Sequence, residues 1–169
     1  MAIRLPERER SVLRYLGDQV QAGHGGARRP LLFSNEEIMT AAGVLAIDEA
    51  AFRQSIGLLD HSGYLQKAVG QNRGLRITLE TVGYLAYAED AITDFQIVRA
   101  SVEHAIVTTR ASNVEVAQAL GLPAFQVDLV FHALEEQQLI QTSHVAVGRL
   151  VMYIREVSPV LELRHEQAP

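Results

Sequence analysis

The segment Ser34-Asn35-Glu36-Glu37-Ile38-Met39-Thr40-Ala41-Ala42-Gly43-Val44 returns 78 residues later as Ser112-Asn113-Val114-Glu115-Val116-Ala117-Gln118-Ala119-Leu120-Gly121-Leu122, with five of eleven positions identical. Each copy is a capping box, in which the serine hydroxyl accepts from the backbone N–H three residues on and the glutamate there reaches back to the serine N–H. Each predicts a short helix that runs through apolar residues at helical spacing. Each is expected to stop at its glycine, Gly43 or Gly121, in the left-handed conformation. Within 169 residues, such a repeat predicts two copies of one small domain, at the lower end of the length two cores need.

Composition narrows the class. No stretch approaches the roughly 18 uninterrupted apolar residues of a membrane span, and Met1 to Arg8 lacks the apolar run of a signal peptide. A cytoplasmic chain without membrane contact is expected. The absence of cysteine excludes disulfides, cysteine nucleophiles and thiolate zinc sites. The net charge of −5 is unevenly spread: residues 1–88 carry ten Arg/Lys against nine Asp/Glu, residues 89–169 five against eleven. The two halves are therefore expected to do different jobs.

Along the first half, Val12, Leu13, Leu16 and Val20 form one stripe of an amphipathic helix from Pro6 to about Ala22. Gly23 to Ala27 reads as a loop, Arg28-Arg29-Pro30 leads into a strand at Leu31-Leu32-Phe33, and the Ser34 helix follows. A third helix is expected from an Asp48 cap to Ser62, with Phe52, Ile56 and Leu59 inward and Gly63 ending it. Tyr64 to Val69 and Leu75 to Leu79 flank the turn-rich 70–74 as a hairpin. The order helix, strand, helix, helix, hairpin resembles the winged-helix variant of the helix-turn-helix domain. Ile77 to Leu85 is similar to the strand, threonine and glycine-containing helix that ends this domain in bacterial winged-helix regulators.

The second half repeats the series. Thr93-Asp94-Phe95-Gln96 is read as a cap for a helix to Thr109 with Val98, Val102 and Ala105 apolar, the Ser112 helix follows, and a third helix spans about 123–138. In that helix Val127, Phe131 and Leu134 match Phe52, Ile56 and Leu59 at an offset of 75, so three residues are missing from the turn before it. A hairpin through 139–155 turns around Val147-Gly148-Arg149, and a tail follows that is a short helix or a strap. The expected fold class is α+β, mainly α: two tandem winged-helix domains, residues 1–90 and 91–169 with the C-terminal tail.

In a DNA-binding winged helix the third helix enters the major groove and the wing touches the backbone. The resemblance thus implies double-stranded DNA as partner of the first copy, through Arg53 and Gln54 on the third helix, Lys67, Asn72, Arg73 and Arg76 on the wing, and Arg28 and Arg29 before the first strand. Arginine would fork onto guanine and glutamine onto adenine. The second copy has Asp128 and Leu129 at the positions of Arg53 and Gln54, with Glu135 and Glu136 closing the helix and Val147 and Leu150 on the wing. Those six residues are assigned to a protein interface, in a homodimer or with another partner.

No catalytic constellation emerges from the six histidines, the paired carboxylates or Gly23 to Gly26, which lacks the lysine and hydroxyl of a phosphate loop. His104 and His132 are candidates to meet carboxylates, and Tyr84 and Tyr87 are read as core aromatics. Neither enzyme activity, metal nor cofactor is expected. The leading reading is a nucleoid-associated transcriptional regulator whose first copy reads DNA and whose second assembles it. The alternative is a non-enzymatic adaptor, since tandem winged helices of this length and acidity resemble the kleisin-associated subunit of bacterial condensin.

Overall fold

The computed structural model describes residues 5–23, 30–70, 74–147 and 149–166. The chain is mainly helical with two small antiparallel sheets, and it divides into two compact units, Met1–Ala91 and Ile92–Pro169.

Unit 1 runs α1 (Glu7–Ala22), β1 (Leu31–Phe33), α2 (Asn35–Val44), α3 (Glu49–His61), β2 (Leu65–Val69), β3 (Leu75–Leu79) and α4 (Thr81–Ala91). The sheet order is β1-β3-β2, antiparallel throughout, with Leu31 opposite Ile77 and Lys67 opposite Ile77 on the other side. Strand alternation turns Ile77 and Leu79 into the core and leaves Arg76 in solvent. The apolar stripe of α1 meets Phe52, Ile56 and Leu59 of α3, all buried, and Phe33 packs edge-on against Phe52 with ring centroids 6.4 Å apart. Burying such side chains contributes roughly 1.5–3 kcal/mol each.

Two glycines let α4 approach closely. A Cβ on Gly83 would stand 2.0 Å from the Tyr64 carbonyl oxygen, and one on Gly17 would stand 2.3 Å from the Tyr87 ring. The Tyr87 hydroxyl lies 2.8 Å from both Asp18 Oδ1 and Gln21 Oε1 on α1. Burial first, then the bond to Asp18, pushes its pKa up.

Unit 2 runs α5 (Phe95–Thr109), α6 (Asn113–Leu120), α7 (Ala124–Glu136), β4 (Ile140–Val147), β5 (Arg149–Val157) and α8 (Pro159–Glu166). Only three residues separate α5 from α6, against twelve between α1 and α2, so no chain is left there for a first strand and the sheet has two strands. Val127, Phe131 and Leu134 are buried like their counterparts in α3.

Both serines close their capping boxes, Ser34 with Glu37 and Ser112 with Glu115. Of the two expected helix stops, Gly121 ends α6 in the left-handed conformation, whereas Gly43 does not end α2. Gly43 lies inside α2, which continues to Val44, and the left-handed residue is Ala46 at φ 54°. Ile47 N–H then bonds to Ala42 O at 3.0 Å, as Leu122 N–H bonds to Ala117 O at 3.1 Å beyond left-handed Gly121. Ala46 and not Gly43 is thus the geometric counterpart of Gly121, which places the three-residue difference at the end of α2. Likewise Gly63 and Gln138 are both left-handed, ahead of the matching bonds from Tyr64 N–H to Leu59 O and from Leu139 N–H to Leu134 O. These are the bonds of a Schellman helix stop. The expected cap at Thr93 is replaced by Asp94, left-handed and without a side-chain cap bond.

Candidate nucleic-acid interface

The outer side of α3 is set by what its inner side must bury. Phe52, Ser55, Ile56 and Leu59 face inward, so Ala50, Gln54, Leu58 and His61 are exposed, with Arg53 at the margin. Arg53 lies between two neighbours: its Nε donates to Glu49 Oε1 at 2.8 Å and its Nη2 to Asn35 Oδ1, at the start of α2, at 3.0 Å. Gln54 is engaged from the other side, its Oε1 accepting from Arg8 Nη2 of α1 at 3.3 Å.

Arg8 belongs to a ring of polar contacts between two adjacent residues of α1 and two of α3. Its Nε donates to Glu9 Oε1 at 3.1 Å, and Ser55 Oγ donates to the same oxygen at 2.9 Å. Glu9 is buried at 4% exposure. Burial pushes its carboxyl pKa up, but the Ser55 hydroxyl and the Arg8 guanidinium oppose this and hold it below the ordinary value. Arg8 is the cation missed in reading the sequence: its place on the polar side of α1 was legible, its reach across 46 residues to α3 was not.

Lys67 of β2 shares the inward sheet face with Ile77, and at the rim it turns toward α3. Its N–H donates to Asp60 Oδ1 at 3.1 Å, and its ammonium stands 4.0 Å from Asp60 Oδ2 and 3.3 Å from where a Cβ on Gly57 would lie. Arg76 is exposed on the opposite sheet face, across from Leu32 and Ala68. The structure therefore gathers Arg53, Gln54, Arg8 and Lys67 around α3 and leaves Arg76 apart. Arg28, Arg29, Asn72 and Arg73 lie outside the described residues.

In unit 2 the expected outward acidic face is corrected at two positions. Asp128 is 4% exposed: its Oδ1 accepts from Asn113 Nδ2 at 2.6 Å. Leu129 is fully buried. Asn113 Nδ2 also donates to Leu150 O at 3.1 Å, and its Oδ1 accepts from Met152 N–H at 2.8 Å. Leu150 is accordingly half-buried. Glu135 turns sideways to accept from Thr142 Oγ1 and lies 3.1 Å from His144 Nε2 and 3.9 Å from His132 Nδ1, while Glu136 is exposed. The Val147 side chain lies outside the described residues.

Among the described residues His104 meets His165 of α8 and not a carboxylate, with ring centroids 4.4 Å apart. Tyr84 and Tyr87 are buried. Among the described residues no group of three His, Asp or Glu is placed to hold a metal ion, and no helix is long and apolar enough to cross a membrane. Compared with models of known protein families and with curated protein sequences, the chain finds no match.

Proposed function

We propose that unit 1 is a winged-helix domain that binds double-stranded DNA through α3, and that unit 2 is a second, modified copy through which a transcriptional regulator assembles. The observation that carries this reading is the topology. The succession α1-β1-α2-α3-β2-β3 closes into a sheet of order β1-β3-β2 and leaves the Gln54 side of α3 in solvent, with Arg53 at its margin. Arg8 and Lys67, standing beside that side, supply charge for phosphates.

Assembly falls to unit 2 because its counterpart of Arg53 is an enclosed carboxylate, unsuited to a phosphate backbone. Its hairpin also offers an apolar outer face. Val145 and Tyr153 are exposed, and Val151 is half-buried. The register sets Val145 opposite Val151 and Ser143 opposite Tyr153, so these side chains share one side of the ribbon.

One observation favours the non-enzymatic adaptor instead: Arg8, Arg53 and Lys67 each have a carboxylate of unit 1 beside them, which reduces the charge offered to DNA. Fluorescence anisotropy with random duplex DNA between about 50 and 200 mM salt separates the two readings. The DNA reading expects micromolar binding that weakens steeply with salt. Absence of binding at 50 mM leaves the adaptor. Tyr153→Glu is expected to weaken self-association in sedimentation without changing the unfolding midpoint.

A further inference from the structure

Gln54 stands on the exposed side of α3 with one end of its amide already committed. Arg8 carries only N–H donors, so whichever way the amide was first placed, the atom turned toward Arg8 must be the carbonyl oxygen. The geometry agrees, with Arg8 Nη2 3.3 Å from Gln54 Oε1. Arg8 is fixed in turn, since its Nε is bonded to the buried carboxylate of Glu9, which Ser55, the neighbour of Gln54 in sequence, also holds. The ring Arg8–Glu9–Ser55–Gln54 thus orients an exposed side chain from a buried anchor. Among the described residues the amide Nε2 has no hydrogen-bond partner, so its protons are available to a ligand.

We infer that Arg8 is a positioning residue that makes Gln54 a donor-only reader, selecting bases that present a carbonyl oxygen in the major groove. The inference rests on the DNA reading of unit 1 and changes what Gln54 recognises. A glutamine pairs with adenine by accepting from N6 and donating to N7, which requires both ends of the amide. With Oε1 turned inward, Gln54 offers N–H groups alone. Guanine accepts them at both O6 and N7 and thymine at O4, whereas adenine accepts only at N7 and its N6 amino group, like N4 of cytosine, confronts the amide donor to donor. The discrimination expected at that one base pair is about tenfold, the lower part of the range for a mismatched contact.

The test is selection of bound sites from a randomised duplex library by the full chain in three forms: wild type, Gln54→Glu and Arg8→Met. Wild type is expected to enrich guanine or thymine at one position. Gln54→Glu replaces donors by acceptors and is expected to switch that position to adenine or cytosine. Because base preference is a ratio at fixed protein charge, the added negative charge does not produce this switch. Arg8→Met frees the amide to rotate and is expected to relax the preference toward equality, with adenine gaining. Thermal unfolding checks that Arg8→Met still folds; Gln54→Glu, confined to the surface, tests the inference if it does not.

Wild-type enrichment of adenine at the position that Gln54→Glu alters, no change of preference in Gln54→Glu, or an undiminished preference in folded Arg8→Met would each overturn the inference while leaving DNA binding intact. Failure of the wild type to bind any duplex at about 50 mM salt would overturn the DNA reading itself, and this inference with it.

Discussion

Asn113, at the first turn of α6, holds the buried carboxylate of Asp128 on α7 at 2.6 Å. In unit 1 the residues at the corresponding places, Asn35 and Arg53, are also bonded, at 3.0 Å, but with donor and acceptor exchanged. The asparagine amide serves both, because one end accepts and the other donates. An identical residue thus accepts from a half-buried guanidinium in one unit and donates to an enclosed carboxyl group in the other.

Asn113→Ala is expected to destabilise unit 2 by about 2–4 kcal/mol, since it removes one bond from the buried Asp128 carboxyl group and the side-chain acceptor of the Met152 N–H. Urea unfolding followed by circular dichroism measures this. A loss below about 1 kcal/mol would mean that solvent readily replaces the amide.

Gly83→Ala brings a methyl group against the Tyr64 carbonyl oxygen, where backbone cannot yield cheaply. The expected cost is about 3 kcal/mol, in the upper range for overpacking, seen as loss of the unit 1 thermal transition. Gly17→Ala meets the buried Tyr87 ring, which Asp18 and Gln21 hold at its hydroxyl, and is expected to cost about as much.

Ala46 and Gln138 hold left-handed backbone where glycine would be relaxed. The conformation costs a side-chain-bearing residue about 1–2 kcal/mol, offset by about 0.5–1 kcal/mol of extra chain entropy that glycine loses on folding. Ala46→Gly and Gln138→Gly are each expected to stabilise by about 0.5 kcal/mol in differential scanning calorimetry. Gly63→Ala and Gly121→Ala shift the transition the other way.

The Glu9 pKa in the folded chain lies below the ordinary glutamate value of 4.5. The ionised form is therefore favoured by folding. Its stabilisation is complete above that ordinary value and is lost as the pH falls through the lower folded one. Glu37 and Glu115, whose pKa values are lowered by bonds from Ser34 and Ser112, act with the same sign. The unfolding midpoint is expected to drop on acidification below about pH 4.5, less steeply in Glu9→Gln than in the wild type.

What could be read in the sequence was local chemistry. The capping boxes at Ser34 and Ser112, the cap at Asp48 and the inward rows of α3 and α7 all follow from spacing along one element. The end of α2 was misjudged because Gly43 matches Gly121 in the repeat, while the residue bearing the left-handed turn is an alanine, which composition does not flag. Asp128 aligns with Arg53 in the repeat, which predicts the same outward side of the helix; its partner lies 15 residues away on another helix. Arg8 and Gln54 are farther apart still. Such pairings exist only once packing has chosen which helices touch.

The short link before α6 has a further consequence. In unit 1, β1 covers β3 at Leu75 to Ile77, whereas in unit 2 the same stretch of β5, Leu150 to Met152, is met by the amide of one side chain. Met152 N–H, on the outer edge of a two-stranded ribbon, is therefore fastened to a helix and not to a strand. In deuterium exchange it would stay protected while the tip of the ribbon frays, and would open only with the start of α6. The slowest-exchanging edge amide of that sheet would then report on a helix terminus.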